Sequence, residues 1–342
     1  GISPPSKSRT AISALLKKGP RSLAAIASDT NLTRGQALDV LDEMRAGGAA
    51  VELPTGLWSL GGAGEAAYTK GASLQYESDD NGMYRFGVVS DTHLGSKYER
   101  LDVLNDLYDR FEKAGIQRVF HAGNWIEGEA TFNKHDILAV GMDSQLRYLA
   151  SYYPKRPGIT TYAVTGDDHE GWYAQREGID IGKHAEAEMR RNGRDDWVNL
   201  GYMEAHIELI HKQSRKSNIL AVVHAGGGSA YALSYAPQKI LESLEGGEKP
   251  GCAIYGHYHK IWAGNIRNVW VLLPGTTKDQ DPFMRKRRIE AHVGGALVEL
   301  EQDADSGALV SFMPRMVRYF NRGFYKDRWS HHGPVSPAER SP

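Results

Sequence analysis

Asp91 and His93 stand two residues apart, directly behind the run Tyr84-Arg85-Phe86-Gly87-Val88-Val89. That run is short, β-branched and aromatic, and Ser90 and Gly95 break it off, which predicts a strand. Side chains at the carboxyl end of such a strand are presented at the rim of an α/β sheet rather than within it. A carboxylate oxygen beside an imidazole nitrogen is a mixed ligand set suited to Mn, Fe or Zn. One Asp-x-His is a weak signal, because an acid and a histidine at a strand end more often form a loop cap and a surface histidine. The pattern recurs, however. Residues 116–120 run into His121-Ala122-Gly123-Asn124, and 159–164 into Thr165-Gly166-Asp167-Asp168-His169-Glu170. Residues 219–223 run into His224-Ala225-Gly226-Gly227-Gly228, and 252–255 into Gly256-His257-Tyr258-His259. Glycine at these ends lets the backbone turn sharply and approach an ion or phosphate. Composition alone would not deliver metal-capable side chains to so many strand ends.

The order Asp-x-His, Gly-Asn, Gly-Asp-Asp-His, a lone His and Gly-His-x-His resembles the calcineurin-like metallophosphoesterases. That superfamily includes Mre11/SbcD-type nucleases, phosphoprotein phosphatases and cyclic-nucleotide phosphodiesterases. The resemblance covers roughly residues 84–301 and implies an α/β fold, a four-layer α/β/β/α sandwich. It also implies two divalent metal ions that clamp a phosphate ester for attack by water. By resemblance, Asp91, His93 and His259 hold one metal, Asp168, His224 and His257 hold the second, and Asn124 bridges both. His169 matches the family histidine that protonates the leaving group or steadies a phosphoryl oxygen. The ligand mix favours Mn, with Fe, Zn, Ni and Mg as the other metals to consider.

Two positions depart from the family pattern. The bridging residue is normally Asp, whereas Asn124 is a neutral amide that offsets less of the repulsion between two cations. The substitution is either an inactivating change or a natural weakening of the site. In addition, Gly166-Asp167-Asp168-His169 stands where the family has Gly-Asn-His. Asp168 directly precedes the histidine and is aligned with the ligand, while Asp167 is the alternative.

The rest of the chain must position these residues. Its 342 residues suggest two domains, or one large domain with an appendage. Lys and Arg number 41 against 42 for Asp and Glu, so no global field draws it to nucleic acid and any basic surface must be local. A single cysteine, Cys252, excludes an internal disulfide and a cysteine zinc site and fits a reducing compartment. The expected location is therefore cytoplasmic, or the host cytoplasm for a phage-encoded protein. No stretch approaches the roughly 20 apolar residues that span a bilayer, so no membrane association is expected. The opening Gly1-Ile2-Ser3-Pro4-Pro5 does not read as a signal peptide, and a start without Met is expected of a trimmed chain.

Residues 1–62 read as a small winged helix-turn-helix domain: three helices, then a hairpin around Pro54-Thr55-Gly56. Arg34 would lie at the start of its recognition helix, where such helices meet base edges. Residues 63–82 are small and polar and read as a flexible linker. The metallophosphoesterase domain is expected over 83–312, followed at 313–342 by a basic-aromatic segment and a disordered tail. Arg285, Lys286, Arg287 and Arg288 form a cationic run after a buried strand, suited to a phosphate rail. Arg318 and Arg322 are interleaved with Tyr319, Phe320, Phe324 and Tyr325, a mixture of cations and rings that suits single-stranded nucleic acid. The expected function is a two-metal phosphodiesterase acting on DNA, an exonuclease or single-strand endonuclease of repair, replication or mobile-element type. The alternatives are a small-nucleotide phosphoesterase and a catalytically silent DNA-binding accessory subunit. DNA is the expected partner, and self-association into a homo-oligomer is a further expectation.

Overall fold

The computed structural model describes residues 7–17, 19–46, 50–52, 57–60, 74–224, 226–227, 232–244 and 249–322. The chain forms two compact units, Gly1–Thr69 and Lys70–Pro342. The turn expected at Pro54-Thr55-Gly56, Tyr231, Phe324, Tyr325 and the tail lie outside the described residues.

In the first unit, helix α1 (Lys7–Leu16) is followed by the two-residue strand β1 (Arg21–Ser22), α2 (Leu23–Thr30) and α3 (Arg34–Ala46). Strands β2 (Ala50–Glu52) and β3 (Leu57–Leu60) then pair antiparallel, and β3 also pairs with β1. Ser22 Oγ accepts from the Ala25 amide and so caps α2. Thr33 and Gln36 satisfy each other's amides through their side chains, a capping box that starts α3. Ile12, Leu16, Ile26, Leu41, Met44 and Trp58 form the core of this unit.

The second unit opens with β4 (Gln75–Glu77), β5 (Met83–Val89), α4 (Leu101–Lys113), β6 (Arg118–His121), α5 (Met142–Tyr152) and β7 (Thr160–Thr165). Helices α6 (Gly171–Glu177) and α7 (Ile181–Arg191) lead to β8 (Trp197–Tyr202), β9 (Glu204–Ile210) and β10 (Ser217–Val223). After α8 (Tyr235–Ser243) come β11 (Cys252–Tyr255), β12 (Ile261–Ile266), β13 (Val269–Pro274), α9 (Pro282–Arg287), β14 (Val293–Gln302) and β15 (Leu309–Tyr319). Two six-stranded sheets result, ordered β15-β14-β5-β6-β7-β8 and β12-β13-β11-β10-β9-β4.

Alternation along each strand sends one set of side chains between the sheets. Tyr84, Phe86, Val88, Phe120 and Val164 from one sheet meet Ile207, Leu220, Val222, Ile254 and Leu272 from the other. Cys252 lies in this same core. On the outer face of the first sheet, Leu104, Leu107, Tyr108 and Phe111 of α4 pack with Leu149 of α5 and Met189 of α7. Leu241 of α8 covers the outer face of the second sheet, against Ala221, Ala253 and Val271. The layers are helix, sheet, sheet, helix. Strands β5, β6 and β7 run parallel, as do β10, β11 and β13, so each sheet presents its carboxyl ends at one rim.

Two boundaries differ from the sequence expectation. Within the stretch expected as linker, β4 pairs in parallel with β9, and Tyr76 packs on the core between the sheets. A three-residue strand among polar neighbours carries too little alternation to be read locally. Beyond residue 312, β15 continues to Tyr319 against β14, so residues 313–319 are sheet rather than tail. Tyr319 is buried and its hydroxyl bonds the Asp106 carboxylate of α4.

Phe86 is fully buried between the sheets, edge-on to Phe120 at 5.2 Å between ring centres. Phe86→Ala is expected to cost about 3–5 kcal/mol of stability through lost burial and the cavity left behind. Urea unfolding should show a lower midpoint at an unchanged slope.

Candidate metal centre

The strand ends meet at one rim in an unusual backbone state. Among the described residues, twelve non-glycine residues have φ in the left-handed region. Six of them are Asp91 (51°), His93 (47°), Asn124 (55°), His169 (51°), His257 (81°) and His259 (51°). Asn, Asp and His tolerate this region better than other side chains, and it turns each one inward immediately after its strand or loop. Close approach is also needed. A Cβ on Gly123 would fall 2.4 Å from the His224 ring, and one on Gly166 would fall 2.3 Å from Asn124 Oδ1.

In the first cluster, Asp91 Oδ1 lies 3.3 Å from His259 Nε2 and 3.9 Å from His93 Nε2, and the two Nε2 atoms are 3.2 Å apart. Ligand atoms around a cation with bonds of about 2.1 Å stand roughly 3.0 Å apart at right angles and up to about 4.2 Å apart across the ion, so this triangle fits a divalent ion. The other Asp91 oxygen is already occupied. Oδ2 accepts from Ser90 Oγ at 2.5 Å and from the His257 amide at 2.9 Å, which leaves Oδ1 facing the cluster. Burial alone would raise the Asp91 carboxyl, but the His259, His224 and His93 imidazoles hold it below the usual carboxylate range. Burial, with His169 and Lys278 nearby, pushes His93 down to about 3.

The second cluster gathers Asp167, Asp168, His224 and His257. Asp168 Oδ1 is 3.2 Å from His224 Nε2, and Asp168 Oδ2 is 3.5 Å from His257 Nδ1. Burial works against charge on His224, but Asp168 and Asp91 lift it to about 9. Burial also opposes ionisation of Asp168, and the His224 and His257 imidazoles overcome it and hold the carboxyl far below its usual range. Asn124 lies between the clusters, with Nδ2 3.4 Å from Asp91 Oδ1 and a buried Oδ1 that has no hydrogen-bond partner among the described residues. Asp167 Oδ1 is a second such oxygen. Orphaned buried oxygens beside converging imidazoles are the donors a cation satisfies.

On three of the four histidines, the nitrogen pointing away from the clusters faces an oxygen. His224 Nδ1 is 2.7 Å from the Ala122 carbonyl, His257 Nε2 is 2.8 Å from the Gly227 carbonyl, and His93 Nδ1 is 3.0 Å from Glu127 Oε2. An oxygen behind one ring nitrogen accepts a hydrogen bond from its N–H and so leaves the lone pair of the other nitrogen for a metal. The donor set therefore fits two divalent ions.

Sequence reasoning missed three buried groups around the centre. Glu127 sits behind His93, and Lys278 Nζ lies 2.9 Å from Glu127 Oε2 and 2.8 Å from Asp281 Oδ2. Burial would raise the Glu127 carboxyl, but Lys278 and His93 hold it well below the ordinary range. Glu170 Oε1 accepts from the Asn124 and Gly166 amides at 2.8 and 2.7 Å, tying the ends of β6 and β7 together. Burial pushes its carboxyl up to about 8. His169 Nδ1 lies 2.6 Å from the Glu127 carbonyl, and its ring stands 4.3 Å from that of His93. His121, by contrast, is turned away from the centre, with Nε2 3.0 Å from Thr92 Oγ1 and its ring near Trp197.

The residues expected to meet nucleic acid are dispersed. Arg34 is an exposed first residue of α3. Arg285, Lys286 and Arg287 lie on α9 and Arg288 caps it, all exposed. Arg318 pairs with Glu290 at 3.2 Å. Arg322 is committed inward, to Asp279 Oδ2 at 2.8 Å and the Glu99 carbonyl at 2.9 Å, which limits it as a phosphate contact.

Two carboxylate-histidine clusters at the rim of a two-sheet sandwich define a metal-dependent phosphoesterase. The calcineurin-like phosphoesterase superfamily domain matches residues 84–301, and the chain belongs to that superfamily, whose members hydrolyse phosphate esters. Solved structures to which the chain is similar include an archaeal phosphodiesterase, 12% identical, aligned over 68% of this chain and 100% of that one at a TM-score of 0.37. Vps29 of Entamoeba histolytica, in complex with zinc, is 14% identical over 69% of this chain and 99% of its own, at 0.32. A putative 5'-nucleotidase from Staphylococcus aureus is 11% identical over 70% of this chain and 55% of its own, at 0.40. Similarity this remote bears on neither substrate nor partner. No curated protein matches the chain at a significant level.

Asn124→Asp places an anion between the clusters and should raise turnover of bis-p-nitrophenyl phosphate by on the order of 10²–10³-fold. Unchanged turnover with full metal loading would show that an amide serves this centre as well as a carboxylate. Asp168→Asn should lower the metal content by one ion per chain, whereas Asp167→Asn should lower it less, because Asp168 pairs with both rings, 3.2 Å from His224 Nε2 and 3.5 Å from His257 Nδ1. Elemental analysis after equilibration with Mn distinguishes the two.

Proposed function

We propose that this phosphoesterase is a two-metal phosphodiesterase of DNA, akin to Mre11/SbcD-type nucleases, acting on ends or single strands with Mn as the working metal. The observation that supports it is the tie between the centre and a cationic helix. Asp281 caps α9 by accepting from the Met284 amide at 2.7 Å, and it is also the ion-pair partner of Lys278. Lys278 in turn reaches Glu127, the carboxylate behind His93. The exposed cations of α9 are thus anchored through buried groups to the metal cluster. A small phosphate ester has no use for such a rail, while a polymeric one needs it to hold flanking phosphates.

Bound divalent ions would supply charge neutralisation of the phosphate and a nucleophilic water at neutral pH. Asp91, His93 and His259 would hold one ion, and Asp168, His224 and His257 the other, with Asn124 between them. Glu127 and the Ala122 and Gly227 carbonyls fix the imidazoles so that each presents the required nitrogen. His169, held at Nδ1 by the Glu127 carbonyl, is oriented to hold or deliver a proton at Nε2. The first unit, read as a winged helix with Arg34 at the head of α3, is a second contact for DNA. The free Cys252 suits a reducing, cytoplasmic setting, and among the described residues no helix is long and apolar enough to cross a membrane.

Affinity for a labelled single-stranded oligonucleotide should fall steeply with salt. Replacing Arg285, Lys286 and Arg288 together by Ala should flatten the logarithmic salt slope by roughly two to three. A salt-independent affinity, or none at low salt, would leave the small-nucleotide phosphoesterase as the better reading.

A further inference from the structure

A row of aromatic rings leads outward from the centre. The His169 ring lies 4.6 Å from that of Trp172 at 30°, Trp172 lies 5.6 Å from Phe132, and Phe132 lies 5.4 Å from Phe283 at 31°. Phe132 is 57% exposed and Phe283 46% exposed, so two phenyl rings at the outer end leave about half their surface in water. A fold gains nothing by leaving such area uncovered. Phe283 belongs to α9, and the Arg287 guanidinium lies over its ring at 5.6 Å.

The charge on α9 is one-sided. Arg285, Lys286, Arg287 and Arg288 are exposed, and none takes part in an ion pair among the described residues. Two nearby acids have inward partners: Asp281 pairs with Lys278 and accepts from the Met284 amide, and Glu129 accepts from the Gly141 amide. A second copy of the chain docked symmetrically here would set these cations against themselves. A ligand with flat apolar faces and a regularly spaced anionic backbone matches both features.

We propose that Trp172, Phe132 and Phe283 form a base-stacking path for single-stranded DNA, with the α9 cations along its backbone and the scissile phosphate at the metal centre. The path rests on the nuclease reading above and adds to it a requirement for unpaired bases. Bases of an intact duplex are stacked on one another and cannot lie on these rings.

The test compares two fluorescent single strands of equal length and charge with nuclease-resistant linkages, one of thymidylate and one abasic, binding to the Mn-loaded full chain. Wild type should bind the thymidylate strand about tenfold or more tighter than the abasic one. Phe132→Ala with Phe283→Ala should reduce thymidylate affinity to the abasic level and leave abasic affinity as it was. Both side chains are exposed, so metal content and thermal midpoint should confirm an intact fold. Wild type that binds both strands equally, or variants that keep the preference, would overturn the stacking path while leaving the nuclease reading intact. Binding of neither strand would overturn both. Sedimentation showing a wild-type dimer that the two substitutions dissociate would assign the rings to a second copy and reject the proposal.

Discussion

Crowded lone pairs are what this domain is built to hold. Two imidazole nitrogens 3.2 Å apart, with a carboxylate oxygen 3.3 Å from one of them, gain little from each other without a cation. The arrangement is steadied where outer polar atoms of these side chains have partners elsewhere. Ser90 and the His257 amide take the outer oxygen of Asp91, and the Ala122 and Gly227 carbonyls take the outer nitrogens of His224 and His257. Beneath them, the Thr276 hydroxyl donates to the Asp91 carbonyl at 2.6 Å, so β13 steadies the end of β5 from the opposite sheet. The two-sheet architecture brings both sets of strand ends to one place, and the hydrogen bonds behind the ligands aim them.

The buried sequence Glu127, Lys278, Asp281 gives the centre a second dimension. Lys278 is 2% exposed and lies between two carboxylates, a charge balance that makes its burial affordable. One of those carboxylates orients a metal ligand, and the other starts the cationic helix. The metal cluster and the cationic helix α9 are therefore linked through three side chains, Glu127, Lys278 and Asp281.

The strands, and the side chains that meet at their ends, could be read from the sequence because the signal is local: an apolar run, then a donor beside glycine. The Asp91, Asn124, His224 and Gly256-His257-Tyr258-His259 ends all announce themselves in this way. Glu127, Glu170 and Lys278 do not, since each looks like an ordinary charged loop residue until distant segments bury it. Phe132 and Phe283 gain meaning only from their approach in space. Strand β4 was hidden by brevity. The extension of β15 was masked by the arginines on its exposed side, which alternate with residues facing the core and which an edge strand accommodates without penalty. Asp168 and its alternative Asp167 both lie in the cluster with His224 and His257, and Asp168 stands 3.2 and 3.5 Å from the two rings.

The left-handed backbone at six positions of the centre also limits how its sequence can drift. A β-branched or bulky residue at Asp91, His93 or Asn124 would carry a conformational penalty on top of the lost ligand, so few neighbours in the genetic code are structurally open. Asn is among the residues best suited to that region, and Asn124, at φ 55°, rests there without backbone cost. Exchange between Asn and Asp at this position thus changes charge with almost no change in shape. Position 124 is therefore one where the charge between the two clusters can change by a single step while the backbone stays as it is.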